Sequence, residues 1–220
     1  PIKFLKSLDF DDLIMGMAFS LAFFTYVFSM LNTSVASTLF LLSVTPILAA
    51  IIGWLWIGEK PHKLTWVSMV IALIGVFIMI GDGYQSGYNF GNFLAVLSAL
   101  FFATALVIAR RSKKNDVLGG TFLGAFFACL FGFITAIIFG RGIDVSLFDL
   151  NLSLFMGAFT IGIGIAFVTW ATPFLPAAEV SLLVLVESIL GPIWVWIFIN
   201  EPMTFLEITG GLIVIFAVAQ

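Results

Sequence analysis

Long apolar runs broken by short polar clusters organise the chain. Eight runs, Leu13–Leu31, Val35–Ile57, Leu64–Ile80, Phe90–Ala109, Val117–Phe139, Leu152–Thr172, Ala177–Ile199 and Phe205–Ala219, meet or approach membrane-spanning length. A helix needs roughly 20 residues to cross a hydrocarbon core about 30 Å thick. Period-two alternation is absent, and backbone groups in lipid must be satisfied within helices or closed barrels. The pattern therefore predicts an all-α polytopic membrane helix bundle of about eight transmembrane helices. The breaks are short: Asn32-Thr33-Ser34, Gly58 to Lys63, Gly81 to Asn89, Arg110 to Asp116, Pro173 to Pro176 and Asn200-Glu201-Pro202. The longest predicted loop runs from Gly140 to Asn151, and no stretch is long enough to be a separate soluble domain.

Composition agrees with a lipid environment. The 220 residues are 62% hydrophobic and 10% charged, where a soluble domain carries about 25% charged residues. The 26 Phe and 6 Trp suit a bilayer, where rings pack against tails or sit at the interface. The positions of the charges fix an expected orientation. Lys3, Lys6, Lys60, Lys63, Arg110, Arg111, Lys113 and Lys114 all fall on one side of an up-down array, and only Arg141 falls on the other. The positive-inside rule assigns that side to the cytoplasm, in the cell (inner) membrane, with both ends of this stretch cytoplasmic. The chain begins at Pro1 and ends close behind an apolar run, as a fragment cut at both ends would.

A repeat is the most informative feature. Val35-Ala36-Ser37 through Trp54-Leu55-Trp56-Ile57-Gly58-Glu59 parallels Ala177-Ala178-Glu179 through Trp196-Ile197-Phe198-Ile199-Asn200-Glu201, at an offset of 201 − 59 = 142. Glu59 and Glu201 mark the same place in each copy. The copies fall on the second and seventh helices, so they cross in opposite directions, an architecture of secondary transporters. The expected division is residues 1–88, three helices of a partial first repeat, and residues 89–220, the five helices of a second. The first repeat would start about fifty residues before Pro1, room for two helices of roughly 20 residues each.

At these residues the chain resembles the EamA-type branch of drug/metabolite transporters. The resemblance rests on Ala36-Ser37-Thr38, Thr45-Pro46, Gly58-Glu59, Ile74-Gly75-Val76, Pro176 through Leu183, Glu187, Gly191 through Trp196, Glu201-Pro202 and Gly210-Gly211. It implies ten helices in two inverted halves of five around a central cavity, and transport of small metabolites. The family usually has Glu-Pro where this chain has Glu187-Ser188. The helix-breaking proline stands instead at Pro192, so the kink is expected about one turn later.

Several side chains are candidates for a substrate path. Glu187 stands at the centre of the seventh run, and a carboxylate at mid-bilayer costs at least about 2.5–3.5 kcal/mol unless it faces a bundle interior or a water-filled path. Two roles fit it: a contact for a substrate amine or a carrier of a coupling proton, or a structural acid bonded to a neighbouring helix. Thr45 is its counterpart in the repeat. Tyr26, Ser98, Trp170 and Trp194 supply polar and aromatic wall candidates, each of which packing alone would also explain. Pro46, Gly191 and Pro192 are expected helix breaks. Gly120-xxx-Gly124, Gly157, Gly162-x-Gly164 and Gly210-Gly211 would permit close helix approach.

The remaining chemistry is sparse. Cys129 is the one cysteine and His62 the one histidine, so no disulfide and no thiolate or imidazole metal site is expected. No catalytic constellation, cofactor motif or basic stripe for nucleic acid appears. The expected partners are the lipid bilayer, a small-molecule substrate and, as coupling ion, a proton. The function expected is secondary transport of amino acids, amines or drug-like compounds. A membrane-embedded enzyme acting on lipid-linked substrates and a non-transporting helper or sensor are the alternatives.

Overall fold

A computed structural model of the chain describes residues 8–80, 88–112, 118–139, 146–200 and 204–219. The helices are α1 (Phe10–Asn32), α2 (Val35–Leu42), α3 (Thr45–Ile57), α4 (Lys63–Ile80), α5 (Asn89–Arg111), α6 (Leu118–Phe139), α7 (Leu147–Phe155), α8 (Ile163–Ala171), α9 (Ala177–Val184), α10 (Glu187–Ile199) and α11 (Phe205–Val218). A π-helical stretch, Met156–Gly162, joins α7 to α8. No strand occurs among the described residues. Six runs are long and apolar enough to cross a membrane: α1, α2 with α3, α4, α5, α6, and α7 through α8. The other two expected spans are Ala177–Ile199, divided into α9 and α10, and the 14 residues of α11.

Capping chemistry moves some boundaries. Asp9 and Asp12 form a capping box, so α1 starts at Phe10 rather than at the first apolar position. The Ser146 hydroxyl accepts from the Asp149 amide at 3.1 Å, and the helix starts at Leu147. Residues 147–151, expected to be loop, are therefore helical: an N-cap satisfies amides that the apolar pattern ignores.

The two broken spans correspond residue for residue at the 142-residue offset. Both have an 8-residue helix, a two-residue turn and a 13-residue helix. The turn falls at Ser43-Val44 in the first and at Leu185-Val186 in the second. The expected kink at Gly191-Pro192 is thus corrected: the interruption precedes Glu187, and α10 runs through both residues. In the first copy the cause is visible. Pro46 cannot bond the Leu42 carbonyl, and the Thr45 hydroxyl donates to that oxygen instead at 2.5 Å. In the second copy no proline stands in the turn, and Glu187 occupies the first position of α10, where a carboxylate complements the positive end of the helix dipole.

Each second half also ends in a left-handed cap, Gly58 (φ 78°) and Asn200 (φ 58°). Gly58 has no neighbour within 4 Å of a would-be Cβ, so only backbone strain opposes a side chain there. Gly58→Ala should lower stability by about 1 kcal/mol, and Asn200→Gly should cost nothing; thermal unfolding in detergent reads both.

Contacts between helices fix which ends lie together. Arg111 pairs with Asp11 at 2.9 Å and Arg110 with Glu59 at 2.8 Å. The start of α1 and the ends of α3 and α5 therefore share one end of the bundle, and the cations Lys60 and Lys63 belong to it. At the opposite end the Thr33 hydroxyl donates to the Asn92 side chain at 2.9 Å. A Cβ on Gly91 would lie 2.6 Å from the Asn32 carbonyl, so α5 begins where α1 finishes. Helix α4 leaves the basic end. Helix α11 packs antiparallel to it, Gly75 facing Val214 and Gly210 facing Met79. The start of α11, and Asn200 just before it, accordingly lie at the end opposite Glu59. The α2–α3 and α9–α10 pairs cross the bundle in opposite directions.

Two buried clusters share α3 and α9 as a spine. One joins Met15 and Phe19 of α1 to Ala49, the Ala103 to Ala109 region of α5, Ala177 and Val180. The other joins Ala50 to Met69, Ala72 and Val76 of α4, Ala178, Leu182, Ile189 and Val214. Glycine lets α6 approach α1: a Cβ on Gly16 would lie 2.6 Å from that of Leu123, and one on Gly120 would meet Met15. The expectation of close approach fails at Gly157 and Gly164, which have nothing within 4 Å. The reason is that the span from Leu147 to Ala171 has 6% of its apolar window buried.

Candidate functional site

The interruptions place two helix N-termini, at Thr45 and Glu187, in the interior stretch of their spans. There the two copies behave differently. At the basic end α3 packs closely on α9, whereas their counterparts at the other end, α10 and α2, barely touch among the described residues. Among the described residues, the closer of the two packings lies at the basic end.

Glu187, at the head of α10, has its side chain exposed. Tyr26 on α1 is half-buried and lies within electrostatic reach of the Glu187 carboxylate. Leu190 and Trp194 follow Glu187 at helical spacing on one face of α10, 42% and 52% exposed. Trp194 leans on Phe198 with ring centroids 5.7 Å apart. Glu187, Leu190 and Trp194 thus line one face of α10, with Tyr26 of α1 in reach of the acid's field.

The other predicted path residues do not join it. Ser98 is buried and donates to the Ala22 carbonyl at 2.8 Å, binding α5 to α1. Thr45 is buried and its proton is committed to Leu42. Both hydroxyls serve helix packing and the broken turn. Trp170 lies on the outer side of α8, in a shallow apolar groove with Leu118, Ile163, Ala166 and Phe167. Glu201 lies outside the described residues. Gly191 and Pro192 lie within α10, and Pro46 in the first turn of α3. Glu59, read from the sequence as a repeat marker, holds an ion pair.

The residue that sequence reasoning passed over is Arg110. Its Nε donates to Glu59 Oε1 at 2.8 Å, and its Nη1 donates to the Pro173 and Thr172 carbonyls at 2.5 and 3.3 Å. The signal was present in the sequence: Glu59 and Arg110 have opposite charge and end helices on the same predicted membrane face.

An all-helical bundle with six membrane-length apolar runs and two interrupted helices of opposite direction defines a multi-pass membrane protein. Residues 13–81 and 89–219 match the EamA-like transporter family, and the chain belongs to that family. It is 22% identical over 193 residues to an "Uncharacterized transporter" of Methanothermobacter thermautotrophicus, covering 84% of this chain and 55% of that one. It is 24% identical over 220 residues to solute carrier family 35 member G1 of Homo sapiens, covering 92% of this chain and 59% of that one. It is also 23% identical over 209 residues to the pseudopaline exporter CntI of Pseudomonas aeruginosa, covering 93% and 72%. The chain thus spans little more than half the length of the first two of these relatives. A solved crystal structure superposes with a TM-score of 0.81 at 15% identity, over all of this chain and 77% of the other, a likeness of fold.

Proposed function

We propose that the chain forms part of a secondary active transporter of small metabolites that works by alternating access between two inverted repeats, residues 1–88 belonging to the first and 89–220 forming the second. One observation carries the reading. Two interrupted helices of matched lengths run in opposite directions, with α3 packed closely on α9 at the basic end. Interrupted helices whose ends meet inside the membrane are where such transporters hold substrate. Glu187 is exposed with Tyr26 in its electrostatic reach and Trp194 on the same face of α10, and such an acid favours an amine-bearing substrate, an amino acid, an amine or a drug-like cation. A carboxyl group there also supplies a site for a coupling proton. By the positive-inside rule the basic end, where α3 packs on α9, faces the cytoplasm of the cell (inner) membrane.

Counterflow in proteoliposomes tests the reading. Vesicles holding the whole protein and preloaded with one of a panel of amines and amino acids should accumulate the labelled form. Absence of flux for every compound, with and without a proton gradient, would overturn it.

A further inference from the structure

We propose that Arg110 is the catch of the gate at the basic end, and that its release from Glu59 and from the Thr172 and Pro173 carbonyls lets that end open. The proposal rests on the alternating-access reading. One guanidinium joins three segments: the end of α5, the residue that follows the cap of α3, and the turn between α8 and α9. These are the segments that bring α3 and α9 together where they pack. Arg is suited to such a joint, because its planar fork serves several acceptors at once.

The setting of the pair favours a reversible contact over a permanent staple. The Arg110 and Glu59 side chains are 24% and 32% exposed, so both charges regain water when they separate. A fully buried pair would instead leave an uncompensated charge on opening. Beneath the pair, small side chains stand among larger ones such as Leu106, Ile52 and Ile57. Ala105, Ala109 and Ala177 are at most 3% exposed, as is Val180. At these alanine positions the surfaces meet without deep interdigitation. The second ion pair of the described residues, Arg111 with Asp11 at 2.9 Å, joins α5 to α1 inside one closely packed unit and stays intact when α3 and α9 part. No ion pair among the described residues joins α2 to α10 at the opposite end.

Two reporter cysteines test the catch in the whole protein after Cys129→Ala. Val180→Cys sits in the seal, and Leu190→Cys sits on the Glu187 face of α10. Labelling by a charged maleimide is followed in permeabilised proteoliposomes, where the reagent reaches both ends. Glu59→Gln and Arg110→Gln should each raise the labelling rate at Val180→Cys at least about fivefold and lower it at Leu190→Cys. Unchanged labelling at Val180→Cys, or a rise at both reporters together, would overturn the proposal; the joint rise means a loosened fold instead of a shifted gate. If Arg110→Gln does not fold, Glu59→Gln decides alone. The readout needs no substrate, so failure of the catch and failure of the transport reading are separate results.

Discussion

Glu187→Gln should reduce the flux of an amine-bearing substrate by roughly 10- to 100-fold, since a hydrogen bond to a charged group contributes about 1.5–3 kcal/mol and each 1.4 kcal/mol is tenfold. Glutamine keeps the size and the hydrogen-bonding oxygen of the side chain and removes its charge. Glu187 is exposed, so the only stability cost expected is the loss of its charge at the head of α10, about 0.3–1 kcal/mol. A neutral compound carried by the same path should lose far less. Tyr26→Phe removes one hydroxyl from the same surface and should reduce flux by a few fold, about the effect of one neutral hydrogen bond. Initial uptake rates in proteoliposomes, normalised to inserted protein, measure both. Equal rates for wild type and Glu187→Gln across amine substrates would remove Glu187 from the path.

Gly210→Ala should produce the largest loss of stability of any single methyl group in the α4–α11 contact. A Cβ at Gly210 would sit 2.6 Å from the Met79 amide nitrogen and closer still to the Gly75 carbonyl oxygen. Both obstacles are backbone atoms, so no rotamer change relieves them and the two helices must separate along their contact. Overpacking of this kind costs about 1–3 kcal/mol, with the upper part of that range expected here. Between membrane helices, close packing of small residues is itself a main source of association. Gly164→Ala is the control: nothing lies within 4 Å of its Cβ position. There the better helix propensity of alanine should leave stability unchanged or raised by up to about 1 kcal/mol. Thermal unfolding in one detergent, with both variants side by side, separates the cases; equal melting temperatures would show that α4 and α11 do not meet at Gly210.

The long apolar runs were legible because a bilayer demands apolar length, which a sequence displays directly. The inverted copies were legible for a related reason: Gly58-Glu59 and Asn200-Glu201 punctuate equal runs, and the structure gives those runs identical helix lengths. Three features lay beyond the pattern. The second interruption was expected at Pro192 because proline is the usual sign of one. It falls before Glu187, where a turn at Leu185-Val186 and an acid at the head of α10 leave no proline mark. Residues 147–151 read as loop because Asp149 and Asn151 are polar, yet Ser146 caps a helix through them. Ser98 and Thr45 looked like polar wall residues. Helices that are apolar on every side do not reveal which face meets which neighbour, and both hydroxyls turn out to bond carbonyls inside the packed bundle. The same ambiguity hid Arg110, whose partners come from chain segments 51 to 63 positions away.

Spin-label distances across the two ends of the bundle test the central claim most directly. One pair, Lys60 with Phe174, reports on the basic end, and a second pair, Val35 with Asn200, reports on the opposite end. All four positions are exposed. As substrate or a proton gradient shifts the population, the first distance should lengthen while the second shortens. Two distances that change in the same sense, or that stay fixed while the protein carries substrate, would contradict a pair of inverted elements trading places as gate.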